Sequence, residues 1–164
     1  MSSYEGKNLF EVIGSLIPGY RGYKEKESRR DSDRVLRDAI VKRLMDRKPI
    51  LDQIMAGCAR AMQFNELHTF ESIKRKMEMI AEQVKHAPQG YSGFFDTVQV
   101  KNEDLDRLYR QDLALRDKVE EFANLVGALA GAPDVAGACQ QILTALQELS
   151  EVVRGRSQAI TEVP

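Results

Sequence analysis

Histidines and carboxylates are the residues that most often hold a metal ion in a helical protein, and their spacing decides whether they can do so. The chain has two histidines, His68 and His86. A di-iron or di-manganese site in a helical bundle needs Glu-x-x-His pairs plus further inward carboxylates. His68 follows Glu66 by two residues and His86 follows Glu82 by four, so neither spacing fits. We therefore predict no metal site and no cofactor.

Nucleophilic catalysis needs an activated side chain, and no arrangement of this kind stands out. The two cysteines, Cys58 and Cys139, lie in apolar stretches without a neighbouring histidine or a Cys-x-x-Cys spacing, which predicts buried, unreactive thiols. No glycine-rich phosphate-binding loop of either common type occurs in the chain. The sequence therefore predicts that the protein is not an enzyme, and no small-molecule substrate is evident from it.

The net charge of −1 indicates no general attraction to nucleic acid or to anionic lipid. The charges are nevertheless unevenly spread. Residues 21–48 carry eleven Lys or Arg against six Asp or Glu, a net of +5, whereas residues 102–121 carry four against seven, a net of −3. Solvated faces of two helices explain this pattern best, and a phosphate-binding face is the alternative. Binding to nucleic acid is therefore not favoured.

The composition is typical of helices packed around an apolar core. Hydrophobic residues make up 43% of the chain and charged residues 30%, and Trp is absent. No apolar stretch approaches the roughly 20 residues of a membrane span, and no basic region precedes an apolar segment at the N-terminus. Free thiols suit a reducing compartment, so we expect a cytoplasmic protein.

Apolar residues recur three and four positions apart along the chain, which predicts amphipathic helices. A short helix at 8–17 ends where Pro18 and Gly19 follow it. A long helix begins at about Asp31, or already within the charged run 24–30, and its apolar stripe runs on to Met62. Because this stripe keeps its phase across Pro49, we predict a kink there rather than two separate helices.

Further helices are predicted at 65–86, 102–129 and 135–155. Short connectors return each helix beside its predecessor, so the predicted fold class is all-α, an antiparallel bundle of three to four long amphipathic helices with a short N-terminal helix. The expected organisation is an N-terminal helix with a Gly/Tyr connector at 1–23, the bundle at 24–156 and a frayed tail at 157–164.

Asp112 is the one charged member of the apolar stripe in the helix at 102–129. Its neighbours along the stripe, Leu115, Val119 and Phe122, are predicted core residues. A charge in a dry core is costly unless it is paired. Arg47, which lies near the stripe of its own helix, is a candidate partner; an open bundle with a hydrated Asp112 is the alternative.

Two segments are rich in the residue types that are enriched at binding hot spots. One spans 17–30 and the other spans 91–95. A structural role is nevertheless the favoured interpretation of both: the tyrosines of the first segment would cap the bundle, and the aromatic residues of the second would plug its end. Together with the N-terminal helix, these segments give a candidate interaction surface: Leu9, Phe10, Ile13, Tyr20, Arg21, Tyr23, Arg29, Arg30, Tyr91, Phe94 and Phe95.

The first of these segments carries a recognisable pattern. It begins Ile-Pro-Gly-Tyr-Arg-Gly-Tyr-Lys-Glu at 17–25 and continues to Arg30 before Asp31-Ser32-Asp33 and a helix. This pattern resembles the N-terminal signature of a family of small uncharacterised bacterial helical proteins. The resemblance implies a bacterial origin, and it carries over no functional residue.

These observations favour a non-enzymatic interaction or scaffold protein. Heptad-like stripes can continue across a subunit boundary as a coiled coil, so we expect a protein–protein interaction with a partner or self-association. The alternative is a peripheral membrane-associated module that uses residues 8–30, whose short apolar helix and basic stretch would bind anionic lipid weakly.

Overall fold

The computed structural model describes residues 8–87 and 93–163. Of these residues, 81% are helical and none lies in a strand. The predicted all-α bundle is therefore confirmed. Its six α-helices are α1 (Leu9–Leu16), α2 (Lys26–Met45), α3 (Lys48–Arg60), α4 (Phe64–Lys85), α5 (Asn102–Gly127) and α6 (Val135–Thr161).

Four of the helices form a closed ring of neighbours around the core, in the order α2, α4, α6 and α5. The short helices are additions to this ring, because α1 lies against α5 and α3 lies against α4. Single turns of 3-10 helix at Gly93–Phe95 and Leu129–Gly131 lie in the two later connectors.

Contacts between helices give their directions. Arg107, near the start of α5, pairs with Glu162 just after α6 over 2.9 Å, so these two helices are antiparallel. By contrast, α2 and α5 run parallel, since Arg43 late in α2 pairs with Glu120 late in α5 over 2.9 Å.

Arg37 within α2 donates to the carbonyl of Lys85 at the end of α4, whereas Lys48 just after α2 pairs with Glu78 earlier in α4, so α2 and α4 are also antiparallel. The prediction that each helix returns beside its predecessor is wrong for α5, which lies diagonally across the ring from α4 and beside α2.

At Pro49 the chain forms two helices in sequence, the alternative to the favoured kink, although Asp46 and Arg47 between them keep right-handed helical backbone angles. Asp46 and Arg47 form a turn between α2 and α3, and Pro49 lies in the first turn of α3. A proline at this place has no intrahelical hydrogen bond to lose, so it favours the start of a new helix. The first of the two helices begins at Lys26, so most of the charged run 24–30 is already helical.

The last helix is longer than predicted. It continues to Thr161, through most of the segment 157–164 for which the sequence predicts a frayed tail. The reason is packing, because Ala159, Ile160 and Val163 are all buried in the core.

The described part of the N-terminal segment belongs to the same core as the bundle. Ile13 and Ile17 expose only 1% and 4% of their surfaces, and they join the hydrophobic cluster to which all four long helices contribute. The helix α1 therefore packs within its own chain, against α5.

Candidate functional site

Asp112 is the centre of a buried polar network at the end of the bundle where α2 and α5 begin. It is only 1% exposed. Its Oδ2 atom accepts hydrogen bonds from the hydroxyl groups of Tyr20 at 2.8 Å and Tyr23 at 2.5 Å. Its Oδ1 atom accepts a hydrogen bond from Nε of Arg156 at 2.7 Å. These donors compensate the carboxylate for the water that it has lost.

Arg156 on α6 is the charged partner of Asp112, so the predicted partner Arg47 is wrong. Arg47 follows the far end of α2, whereas Asp112 lies in the first half of the parallel helix α5. The Nη2 atom of Arg156 also donates to Oδ1 of Asp33 at 2.8 Å. Asp33 in turn accepts a hydrogen bond from Nε of Arg37 at 2.9 Å. Two carboxylates and two guanidinium groups thus connect α2, α5 and α6.

The protonation equilibria of this network follow from burial and pairing. Burial raises the pKa of Tyr23 and of Tyr20 above their ordinary values, and the charge of Asp112 raises both further. Burial also raises the pKa of Asp112, against the opposing effect of Arg156. Burial by itself would lower the pKa of Arg156, but the charge of Asp112 holds it well above the ordinary value. The tyrosines therefore keep their protons and Arg156 keeps its charge, an arrangement that suits structural pairing better than proton transfer.

Arg29 links two connecting segments at this end of the bundle, the one before α2 and the one after α4. It is fully buried, and its guanidinium donates to the carbonyl oxygens of Tyr23 at 2.8 Å, Phe94 at 3.0 Å and Thr97 at 2.5 Å. Its guanidinium carbon also lies 5.6 Å from the ring centroid of Phe94, within the range of a cation–π interaction. Arg29 thereby joins the N-terminal connector to the segment that follows α4.

These contacts place most of the predicted interaction surface inside the protein. The buried members are Ile13, Tyr20, Tyr23, Arg29, Phe94 and Phe95. Leu9 and Phe10 are half-buried against the core, Arg21 and Arg30 are exposed, and Tyr91 lies outside the described residues. The predicted docking surface is therefore wrong for its buried members. The structural role is found for Tyr20, Tyr23, Phe94 and Phe95, which close the end of the bundle.

An exposed apolar tip lies at the opposite end of the molecule, where α3 turns into α4. Met62 is 76% exposed and Phe64 is 58% exposed. All residues from 59 to 66 are exposed, and only Arg60 and Glu66 among them are charged. We call residues 59–66 the α3–α4 tip.

Met62 has a backbone conformation that usually belongs to glycine. Its φ is +57°, because α3 ends in a Schellman motif: the N–H of Gln63 donates to the carbonyl of Cys58 at 2.9 Å, and the N–H of Met62 donates to that of Ala59 at 3.2 Å. The left-handed conformation costs an ordinary residue roughly 1–2 kcal/mol. Since the side chain is mostly exposed, packing recovers little of this cost.

Sequence reasoning missed the α3–α4 tip because Met62 continues the spacing of the preceding apolar stripe. The stripe predicted a buried side chain, but the helix ends at Arg60 and the periodicity no longer applies beyond it. The signal that was present is the polar run Gln63 to Glu66 around Phe64, which leaves this aromatic ring without apolar neighbours in sequence.

Comparisons with known proteins assign neither a family nor a function to the chain. No known family model, curated protein or solved structure matches the chain. Within residues 8–87 and 93–163, no cluster of three His, Cys, Asp or Glu side chains is placed to hold a metal ion. In the same residues, no helix has both the length and the apolar character that a bilayer crossing requires.

Proposed function

We propose that this chain is a non-enzymatic helical interaction protein that docks on a protein partner through the α3–α4 tip. The observation that carries the proposal is Met62, which has a strained backbone and a solvent-exposed apolar side chain. Neither feature favours folding. The left-handed turn serves the end of α3, but glycine would form it without strain. A strained residue that glycine could replace is typical of functional positions, so a contact outside the chain is the best explanation of this methionine.

The residue types and the rigidity of the α3–α4 tip support this proposal. A flexible thioether adapts to irregular apolar surfaces, and an aromatic ring is a common anchor in protein interfaces. Ion pairs connect the two sides of the hairpin, Lys74 to Asp52 over 2.5 Å and Lys48 to Glu78 over 3.2 Å. These pairs hold the stem of the hairpin, and the Schellman motif fixes the backbone of the tip itself, so the tip loses little conformational entropy on binding.

The buried network supports a structural role for the residues that most resemble an active site. Asp112, Arg156 and the tyrosines bind the protein's own segments together, and their hydrogen-bonding groups are used in doing so. We therefore propose no enzymatic activity for them.

The membrane alternative for residues 8–30 has weaker support. The apolar face of α1 packs on α5, where Ile13 and Ile17 are buried, and is not free to enter a bilayer. We propose that the protein is bacterial and cytoplasmic. The reduced thiols of Cys58 and Cys139, both buried, are compatible with the reducing compartment.

A photoreactive phenylalanine analogue in place of Phe64 tests the proposed function in the cells that make the protein. We expect a light-dependent adduct with a protein partner from position 64. The matched control carries the same analogue at Lys76, an exposed position on α4, and should give no such adduct. Met62→Gly in the same chain should abolish the adduct at 64. Equal adducts from both positions, or none from position 64, would contradict the proposal.

A further inference from the structure

The N-terminal segment is attached to the bundle in two different ways. Its second part, residues 20–25, is fastened by hydrogen bonds, and we call it the N-terminal connector. The N–H of Tyr23 donates to the hydroxyl of Tyr109 at 3.0 Å, and its carbonyl accepts from Nε of Arg29 at 2.8 Å. In the described part of the chain, by contrast, no hydrogen bond or ion pair joins residues 8–18 to another helix. The helix α1 is therefore held on α5 by apolar contacts alone.

The apolar contacts of α1 close one of its sides and leave a cleft at another. Ile13 and Ile17 are buried, and the ring of Phe10 lies 6.1 Å from that of Tyr109. Leu16, however, is 40% exposed, beside a cleft of about 200 Å³ between α1, α2 and α5. A helix of eight residues is also too short to remain folded without its neighbours. Weak anchoring of this kind is typical of segments that open on their own.

A hinge separates α1 from the N-terminal connector. Pro18 and Gly19 follow the helix, and both are exposed. Gly19 has a φ of +85°, and an added Cβ atom would meet only Val35, at 3.8 Å. Glycine without close neighbours can change its backbone angles at little steric cost. The helix α1 can therefore leave α5 while the N-terminal connector stays in place.

Opening of α1 leaves the buried polar network intact. Both tyrosines that donate to Asp112 lie in the N-terminal connector, and Arg156 lies on α6. The helices α2, α4, α6 and α5 form a closed ring without α1. The cost of opening is therefore limited to the apolar surface of α1 and of its seat on α5.

We propose that α1 is a lid, which opens about the hinge at Pro18 and Gly19 while the ring and the N-terminal connector stay folded. The closed state predominates, since Ile13 and Ile17 are only 1% and 4% exposed. The open state uncovers the apolar seat of α1 on α5, so the lid controls access to this face of the bundle. The inference does not rest on the proposed function, which concerns the α3–α4 tip.

Hydrogen exchange of the full chain, followed by NMR at single residues, measures the opening. The amides of Val12 and Ile17 donate within α1, and the amide of Tyr23 reports on the N-terminal connector. We expect the two α1 amides to be protected, but to exchange roughly tenfold or more faster than Tyr23 and the core of α6. Their rates should also depend less on denaturant, because an opening lid exposes less surface than an unfolding chain.

A substitution in the ring shows whether the lid opens alone. Ile142 on α6 is fully buried, and Ile142→Ala should speed exchange in α6 by roughly 30-fold or more. It should leave the rates of Val12 and Ile17 unchanged, because the opening of the lid keeps α6 in place. Ile142→Val is a milder variant of the same position, with an expected effect on α6 of roughly two- to tenfold.

A matched pair of variants tests the contacts of the lid itself. Ile13→Ala removes a side chain that is 1% exposed and should speed exchange at Ile17 by roughly 30-fold or more. Glu11 is exposed on the same helix, and Glu11→Ala should change this rate little.

Three results would overturn the inference. The first is exchange of the α1 amides at the rate of the α6 core, with equal acceleration of both in Ile142→Ala, because α1 would then open only with the whole bundle. The second is exchange of Tyr23 together with α1, which would exclude the hinge at Pro18 and Gly19. The third is an absence of protection in α1, which would mean that the lid is not closed.

Discussion

Arg156 and Asp112 lie 44 residues apart in the chain and meet in a buried ion pair, with 2.7 Å between Nε and Oδ1. Through Asp33 and the two tyrosines, this pair connects three helices and the N-terminal connector at one end of the bundle. A buried ion pair adds little net stability compared with apolar residues of the same size. Its partners, however, depend on each other strongly, since removing one leaves the other charge buried and unpaired.

Replacing Arg156 with alanine should destabilise the protein severely. The change leaves Asp112 and Asp33 buried without their shared guanidinium, and breaking a buried pair in this way costs about 3–5 kcal/mol. Chemical denaturation measures the free energy of unfolding. Arg154→Ala, on the exposed side of the same helix, is the control and should stay within about 0.5 kcal/mol of wild type. Equal stability of the two variants would mean that the ion pair does not form.

Stability should fall as the pH rises above the ordinary tyrosine pKa of 10.0. Burial raises the pKa of Tyr20 and Tyr23 in the folded state, so the unfolded chain releases these phenolic protons first and deprotonation favours unfolding. Their contribution is complete below pH 10.0 and is lost as the pH rises through the higher folded-state values. Tyr20→Phe should make the decline of unfolding free energy with pH shallower.

Ultraviolet absorbance of tyrosinate, recorded together with helical circular dichroism, checks this expectation. The phenols of Tyr20 and Tyr23 should ionise only as helix is lost. If both tyrosines ionised near pH 10.0 with the helices intact, their hydroxyl groups would not be buried in hydrogen bonds to Asp112.

Two glycine-to-alanine substitutions should change stability in opposite directions. Gly22 has a φ of +76°, and a Cβ atom there would lie 2.8 Å from atoms of both Phe10 and Tyr109, so Gly22→Ala should cost about 1–3 kcal/mol. Gly57 lies within α3 with nothing within 4 Å of its added Cβ, and Gly57→Ala should gain about 0.5–1 kcal/mol. Thermal unfolding measures the stability of each variant against wild type. A Gly22→Ala variant as stable as wild type would contradict the close packing around Gly22.

The fold was predictable because apolar periodicity reports burial directly. Leu115, Val119 and Phe122 were predicted to lie in the core from spacing alone, and they are 1%, 1% and 0% exposed. Spacing of this kind depends only on the local helix geometry, so it needs no knowledge of distant residues. It stops being informative where a helix ends, which is why Met62 was misplaced.

The network was not predictable, because its residue types have two opposite uses. Tyr and Arg are common both at exposed binding sites and in buried polar networks. Whether Tyr20 and Tyr23 face solvent or core depends on Asp112 and Arg156, which lie 89 or more residues further along the chain from Tyr23. Only the three-dimensional fold shows that these partners meet, although the apolar stripe of α5 identifies Asp112 as a charge that needs a partner.

The stability of Met62→Gly tests most directly whether this residue is kept for binding rather than for folding. Glycine adopts the left-handed conformation without steric strain, and its greater freedom in the unfolded chain offsets part of the gain. We expect the free energy of unfolding, measured by chemical denaturation at a concentration that keeps the chain monomeric, to rise by up to about 1 kcal/mol. Ala59→Gly, in the last turn of α3, is the control and should lower it by up to about 1 kcal/mol. A Met62→Gly variant less stable than wild type would show that the side chain serves the fold, and would contradict the assignment of the α3–α4 tip as a docking site.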